Sequence, residues 1–138
     1  MSDRRFAEIR FETRTGPVAV RATADAVAGI GWVGSAQGDH DETPLLAEAR
    51  RQILDYFAGR LRRFDLPLAP AGTDFQQAVW AAMCAIPYGA VRTYGDIARD
   101  LDGTARAVGT ACGRNPIPIV IPCHRVVGGN GRLTGFSG

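Results

Sequence analysis

Residues 93–113 read TYGDIARDLDGTARAVGTACG. Thr93 can cap a short helix with apolar residues on one face, and Asp102-Gly103-Thr104 then forms a tight turn. Thr104 can cap a second helix that runs from Ala105 to about Cys112. Two short helices joined by a three-residue turn with a glycine are typical of a helix-turn-helix, although many such pairs are only packing units.

The second of these helices has an unusual composition. Nearly all its side chains are small, and its one charged residue, Arg106, lies in the first turn. A positive charge there opposes the helix dipole, so it costs a few tenths of a kcal/mol unless Arg106 serves another purpose. Small side chains let a helix approach another surface closely, and that surface is either a nucleic-acid groove or the core of the protein.

Charge is unevenly distributed along the 138 residues. All fourteen acidic residues lie at or before Asp102, whereas the rest of the chain carries four arginines and no acid. A basic stretch of this kind indicates either a polyanionic partner or a solvated basic face. The total charge of +2 and the 46% hydrophobic residues are ordinary for a globular protein and argue against disorder.

The sequence predicts an α+β protein of two parts, with the boundary near residue 70. Strands are expected at residues 6–13, 18–22 and 26–33, and apolar residues recur at helical spacing from Pro44 to Gly59. Residues 60–72 have the arginines, prolines and terminal glycine of a linker. A helix capped by Thr73 follows, ending before Pro87, and the second part is helical and winged-helix-like.

Three cysteines without a C-x-x-C spacing disfavour both a disulfide framework and a structural zinc site, so we expect no metal and no cofactor. Cys84 is expected to be a buried free thiol. Neither a signal peptide nor a membrane span is visible, which predicts a cytoplasmic protein that does not act at a membrane.

Cys123 is the candidate nucleophile. Pro118 and Pro122 are unsuited to a central strand, and they fit a fixed, extended segment that presents the cysteine. His124 and Arg125 follow directly, and a cationic or basic neighbour favours the reactive thiolate. A buried structural cysteine is the alternative.

The segment IPCHRVV, residues 121–127, resembles the active-site motif of the methylated-DNA–protein-cysteine methyltransferases, the O6-alkylguanine-DNA alkyltransferases. Five further motifs stand in the order of that family. They are IPYG at 86–89, TYG at 93–95, RAVG at 106–109, RNP at 114–116 and LTGFSG at 133–138. The resemblance covers about residues 73–138, whereas residues 1–70 resemble the variable N-terminal domain of the family only loosely.

The resemblance implies single-turnover DNA repair. Cys123 would attack the alkyl carbon on O6 of a damaged guanine and keep the group as a thioether. His124 would be the base that deprotonates the cysteine through a water, and Asn115 would order that network. The expected partner is double-stranded DNA containing O6-alkylguanine, bound in the minor groove by a monomer.

The resemblance also assigns the DNA contacts and the base pocket. Arg106 would fill the space that the flipped base leaves in the stack, and Tyr94 would rotate the target phosphate. Further contacts to the DNA are expected from Thr93, Ala105, Gly109 and Arg114. Pocket residues by the same resemblance are Pro118, Val126, Phe136 and Ser137.

Three features depart from the family pattern. The turn at Asp102-Gly103-Thr104 is roughly two residues shorter than in some relatives, and Phe136 stands where many members have Tyr. The family continues beyond the position of Gly138 into a last helix, whose Glu hydrogen-bonds the active-site His. This sequence stops at Gly138. We therefore expect domain 71–138 to lack that helix, and His124 to lack its orienting carboxylate.

Two other functions fit parts of the sequence. One is a non-enzymatic protein that binds alkylated DNA, as relatives that lack the cysteine do, and the presence of Cys123 argues against it. The other is a helix-turn-helix regulator, for which residues 122–125 would have no purpose.

Overall fold

The computed structural model describes residues 6–38 and 40–128. The chain forms two compact units, which divide between Pro70 and Ala71. The α+β class expected from the sequence is confirmed: a small antiparallel sheet with one helix comes first, and a mainly helical unit follows.

The first unit is a three-stranded antiparallel sheet covered by a helix. Its elements are β1 (Ala7–Thr13), β2 (Gly16–Ala22), β3 (Val27–Trp32) and α1 (Pro44–Phe57). The strands lie in the order β1-β2-β3, and α1 packs on the sheet. The Thr43 side chain caps α1 by accepting a hydrogen bond from the backbone N–H of Leu46. Its fully buried side chains include Ile9, Val18, Val20, Val27, Leu46 and Ile53.

The segment after α1 is not the linker that its composition predicts. The buried Gln52 side chain donates to the Asp65 carbonyl (3.1 Å) and accepts from the Asp65 backbone N–H (2.8 Å). The backbone of Val27 donates to the Pro67 carbonyl and accepts from the Ala69 N–H, at 2.8 Å each. Because these peptide groups pair with a helix and a strand, the segment is part of the first unit.

The second unit contains three helices and a two-stranded parallel pairing. Its elements are α2 (Asp74–Cys84), β4 (Arg92–Thr93), α3 (Tyr94–Leu101), α4 (Ala105–Gly113), a one-turn 3-10 helix (Cys123–Arg125) and β5 (Val126–Val127). Arg92 and Thr93 of β4 pair with Val126 and Val127 of β5. We call Cys123–Arg125 the cysteine turn.

Each helix of the second unit begins at the threonine expected from the sequence. Thr73 and Thr93 form capping boxes with Gln76 and Asp96, and the Thr104 side chain accepts from the Ala107 N–H at 3.1 Å. A capping side chain contributes about 1 kcal/mol to helix stability. The start of each of these three helices can therefore be predicted from its capping threonine.

The turn between α3 and α4 brings the helix-turn-helix pair together. Asp102 adopts a left-handed conformation with φ 58°, and the Gly103 N–H donates to the Ala98 carbonyl at 2.9 Å. A Cβ atom at Gly103 would lie 3.0 Å from the Phe75 ring of α2, so the close approach of the turn favours glycine.

Helices α2 and α4 are joined through their buried faces. The indole Nε1 of Trp80 donates to the Ala111 carbonyl at 2.9 Å, and the Cys112 sulfur lies 3.6 Å from the Met83 sulfur. Together with α3 they form the core of the unit. Its fully buried side chains include Val79, Trp80, Met83, Ile97, Val108, Ile117 and Ile121.

Candidate active site and nucleic-acid interface

Cys123 begins the cysteine turn and is 9% exposed. Its sulfur accepts a hydrogen bond from Asn115 Nδ2 at 3.0 Å. It also donates to the carbonyl oxygen of Cys112, at the end of α4, at 3.3 Å. A donor to that carbonyl must carry a hydrogen, so this arrangement holds the sulfur as a thiol.

Asn115 organises the loop between α4 and Cys123. Its Oδ1 accepts from the Ile117 N–H at 2.8 Å, and its Nδ2 also donates to the Ile121 carbonyl at 2.9 Å. The backbone contact at Ile117 fixes which amide atom is which, and therefore turns the N–H group toward the sulfur. The side chain thus ties together the beginning of the loop, its end and the Cys123 sulfur.

The loop itself is folded, and the extended segment expected before Cys123 is wrong. The Ile121 N–H donates to the Ile117 carbonyl at 2.9 Å, which closes a turn over Pro118, and Ile119 has a φ of 77°. A β-branched residue is strained in that region of backbone space. Pro118 and Pro122 do exclude a central strand, as expected. The segment is folded and not extended because the Asn115 side chain hydrogen-bonds the backbone of Ile117 and Ile121.

Two of the three thiols are buried beside each other, and their environments differ. Burial raises the pKa of the Cys123 thiol above its ordinary value, and the hydrogen bond from Asn115 acts in the opposite direction. Burial raises the pKa of Cys112 to about 12. Cys84 is exposed, contrary to the expectation of a buried thiol. Of these cysteines, Cys123 has the side-chain amide donor that stabilises a thiolate.

His124 follows Cys123 in the turn. Partial burial lowers the pKa of its imidazole, and the positive charge of Arg125 lowers it further. Both effects favour the neutral imidazole, which can accept a proton.

The described DNA-contact candidates lie at the start of α3 and along α4 and its C-terminal cap, in two different environments. Arg106, Ala105 and Arg114 are exposed, and Gly109 is half-buried, whereas the opposite face of α4 packs on the core. Arg106 has no ion pair within the described part of the chain. The first two turns of α4 thus present small side chains and one unpaired cation.

Thr93 and Tyr94 are less accessible than a contact role suggests. The Thr93 hydroxyl accepts from the Asp96 N–H at 2.9 Å, so it is occupied as a helix cap. Tyr94 is 8% exposed. The sequence predicts that Thr93 caps the helix that begins here, and the structure confirms this cap.

The base-pocket candidates are only partly described. Pro118 is half-buried in the loop, and Val126 is fully buried in β5. Phe136 and Ser137 lie outside the described residues.

Arg125 is the residue whose environment the sequence did not reveal. It was counted among four basic residues available to a polyanion, but it is buried, and its Nη1 donates to the Ile86 carbonyl at 2.7 Å. The sequence does not predict the burial of Arg125, because an arginine at this place in the motif can equally well have an exposed side chain.

Within residues 6–38 and 40–128, no group of three or more His, Cys, Asp or Glu side chains is arranged to hold a metal ion. Over the same ranges, no helix has the length and apolar character needed to cross a bilayer.

Comparison with known proteins agrees with the site. The family model for the DNA-binding domain of 6-O-methylguanine DNA methyltransferase matches residues 74–138. A methylated-DNA–protein-cysteine methyltransferase of Methanosarcina acetivorans is 44% identical over 138 residues, covering 92% of this chain and 86% of the relative. A constitutive enzyme of that name from Bacillus subtilis is 50% identical over 112 residues, which is 79% of this chain and 68% of the relative.

Solved structures give the same result for the fold. The crystal structure of Mycobacterium tuberculosis O6-methylguanine methyltransferase superposes with a TM-score of 0.83 at 37% identity, covering 95% of this chain and 84% of that one. The crystal structure of Mycobacterium tuberculosis OGT in complex with DNA gives 0.82 at 40% identity, over 94% and 83% of the two chains. The chain therefore belongs to the methylated-DNA–protein-cysteine methyltransferase family.

Proposed function

We propose that the protein repairs DNA by direct reversal of damage, in which Cys123 takes the alkyl group from O6-alkylguanine in double-stranded DNA. The observation that carries this proposal is the placement of Cys123, which is buried and hydrogen-bonded to Asn115 within the family's motif. Because the thioether is not cleaved again, one protein molecule repairs one lesion. A reaction that needs a free thiol is suited to a reducing cytoplasm.

The chemistry is a displacement at carbon. The Cys123 thiolate forms a C–S bond to the alkyl carbon while the C–O6 bond breaks, and its electron pair remains on the guanine. Before this step, the Cys123 thiol must break its hydrogen bond to the Cys112 carbonyl and lose its proton. Neutral His124 accepts it through a water, and the Asn115 amide stabilises the charge that develops on sulfur.

A guanine inside a duplex cannot reach a buried sulfur, so the nucleotide must be flipped at a cost of a few kcal/mol. By the family resemblance, α4 enters the minor groove through its exposed face of small side chains, with Arg106 inserted into the stack. Arg114, Thr93 and the start of α4 at Ala105 contact phosphates, and Gly109 allows close approach. Tyr94 acts on the phosphate of the flipped nucleotide.

The flipped base is held next to Cys123. Pro118 forms one wall of the pocket, and Val126 and Ser137 offer backbone contacts to the guanine. Phe136 lines the same pocket without the hydroxyl that a tyrosine would supply. We propose that a single protein molecule binds each lesion.

Arg106→Ala should slow repair of a methylated duplex at least roughly tenfold, because the space in the stack is no longer filled. Reaction with a free O6-alkylated guanine base should be unchanged, since that substrate needs no flipping. Single-turnover rates on both substrates measure the difference. Arg63→Ala removes the same charge from an exposed position in the first unit and serves as the matched control.

The proposal is tested by intact-protein mass spectrometry after incubation with excess duplex containing O6-methylguanine. The expected result is a gain of one methyl group per protein molecule that does not increase further with time. An unmethylated duplex of the same sequence is the control. Tight binding to the methylated duplex without a mass gain would instead identify a non-enzymatic alkylated-DNA-binding protein.

A further inference from the structure

Arg125 is a buried cation that forms no ion pair with a carboxylate of the described residues, 6–38 and 40–128. It is 9% exposed. Its Nη1 donates to the Ile86 carbonyl at 2.7 Å, and its guanidinium carbon lies 5.7 Å from the centre of the Tyr88 ring. A buried charge that lacks a partner is strongly destabilising, so something else must stabilise this one.

The end of α2 supplies that stabilisation. The helix ends at Cys84, and the Ile86 N–H donates to the Met83 carbonyl, which places Ile86 directly beyond the last turn. Carbonyls there form the negative end of the helix dipole and attract cations. The last turn of α2 has no basic residue of its own, and Arg125 brings a positive charge to a carbonyl two residues beyond the helix end, 39 positions earlier in the chain.

The hydrogen bond from Arg125 to the Ile86 carbonyl fixes the C-terminal end of the cysteine turn. The first end is held at α4, where Cys123 contacts the Cys112 carbonyl and Asn115. Arg125 is the last residue of the turn and joins it to α2. Since the indole of Trp80 bonds α2 to α4, the turn is attached to two elements that are themselves joined.

The charge of Arg125 acts on two neighbouring groups: it lowers the pKa of the Cys84 thiol against the larger effect of burial, and it lowers the pKa of His124. His124 precedes Arg125 in the chain, and the positive charge of Arg125 disfavours a second cation there. The groups that α2 and α4 bring to this region, Cys84 and Cys112, are uncharged at neutral pH. On the β4 side, Arg92 is paired with Asp100 at 2.9 Å.

Building on the proposed function, we propose that Arg125 is a positioning residue for alkyl transfer. It anchors the cysteine turn to α2, and its positive charge, directly next to His124 in the chain, adds to the effect of burial in favouring the neutral imidazole that can accept the proton from Cys123. Arg125 touches neither sulfur nor alkyl group in this role, so it acts through His124 and through the geometry of the turn.

Two substitutions separate the hydrogen bond from the charge. Arg125→Gln keeps an N–H donor and removes the charge, whereas Arg125→Lys keeps the charge on a different head group. With a free O6-alkylated guanine base as substrate, we expect Arg125→Gln to slow transfer roughly tenfold or more. We also expect it to move the acid limb of the rate profile to higher pH, and Arg125→Lys to keep that limb at its wild-type position.

NMR titration of His124 gives a readout that does not need activity. The chain has two histidines, and a His40→Gln variant assigns their signals. In Arg125→Gln, the pH at the midpoint of the His124 titration should rise. The signal of His40, which lies beside Glu42 in the first unit, serves as the reference. Thermal unfolding of each variant tests whether it is folded.

The outcomes distinguish this inference from the proposed function. An unmoved His124 midpoint in folded Arg125→Gln, or equal rate losses in both variants with no change in pH profile, would leave Arg125 with a purely structural role. Absence of transfer by the wild-type protein would overturn the proposed function, while the titration would still decide whether Arg125 controls the charge of His124.

Discussion

The Cys123→Ser protein is expected to fold, to bind methylated duplex DNA, and to transfer no detectable methyl group. A serine hydroxyl can accept from Asn115 Nδ2 and donate to the Cys112 carbonyl, as the thiol does, so the loop keeps its contacts. The hydroxyl has a far higher pKa than a thiol and is a weaker nucleophile toward carbon. The substitution therefore removes the reaction and preserves the site.

The measurement is the single-turnover yield of methyl transfer from a duplex containing O6-methylguanine, together with the Kd for that duplex. Cys84→Ser is the matched control, because it changes an exposed cysteine of the same unit. The control should react at the wild-type rate. Residual transfer in Cys123→Ser, with loss of transfer in Cys84→Ser, would mean that the acceptor has been assigned wrongly.

Asn115→Asp is expected to give the second largest effect. The carboxylate can still accept from the Ile117 N–H, so the start of the loop is retained. It loses the N–H that bonds the Cys123 sulfur and brings a negative charge close to it. Both changes disfavour the thiolate and raise the pKa of Cys123 beyond the increase that burial already causes.

A hydrogen bond to a charged group contributes about 1.5–3 kcal/mol, so we expect transfer at pH 7 to slow roughly ten- to hundredfold. The rate should recover as pH rises, because a group with a raised pKa ionises only at higher pH. Rates measured from pH 6 to pH 10 with a free O6-alkylated guanine base would show this, and they avoid any effect on DNA binding.

Thr110→Asp is the control for Asn115→Asp, since it adds the same charge at an exposed position of α4. It should leave the rate with the free base near wild type. A rate profile for Asn115→Asp that is lower but unshifted in pH would show that Asn115 only maintains the loop and does not stabilise the thiolate.

The helices were predictable because their signals are local. Thr73, Thr93 and Thr104 each stand where a capping side chain is needed, and the three helices begin after them. The strands of the first unit were found from short β-branched runs, with boundaries that differ by one or two residues.

The features that could not be predicted depend on particular side-chain hydrogen bonds, some of them between residues far apart in the chain. The loop before Cys123 curls because Asn115 bonds Ile117 and Ile121, which its prolines alone do not indicate. Arg125 turns inward because a carbonyl 39 positions earlier accepts its hydrogen bond. Periodicity and composition carry no information on such pairs.

Peptide-level mass spectrometry of the protein after one equivalent of methylated duplex tests the central claim most directly. The chain offers three thiols, of which Cys84 is exposed and Cys112 is buried beside Cys123. We expect S-methylcysteine at Cys123 alone, in an amount equal to the O6-methylguanine lost from the DNA. A methyl group at Cys84 or Cys112, or loss of O6-methylguanine without any methylated cysteine, would contradict it.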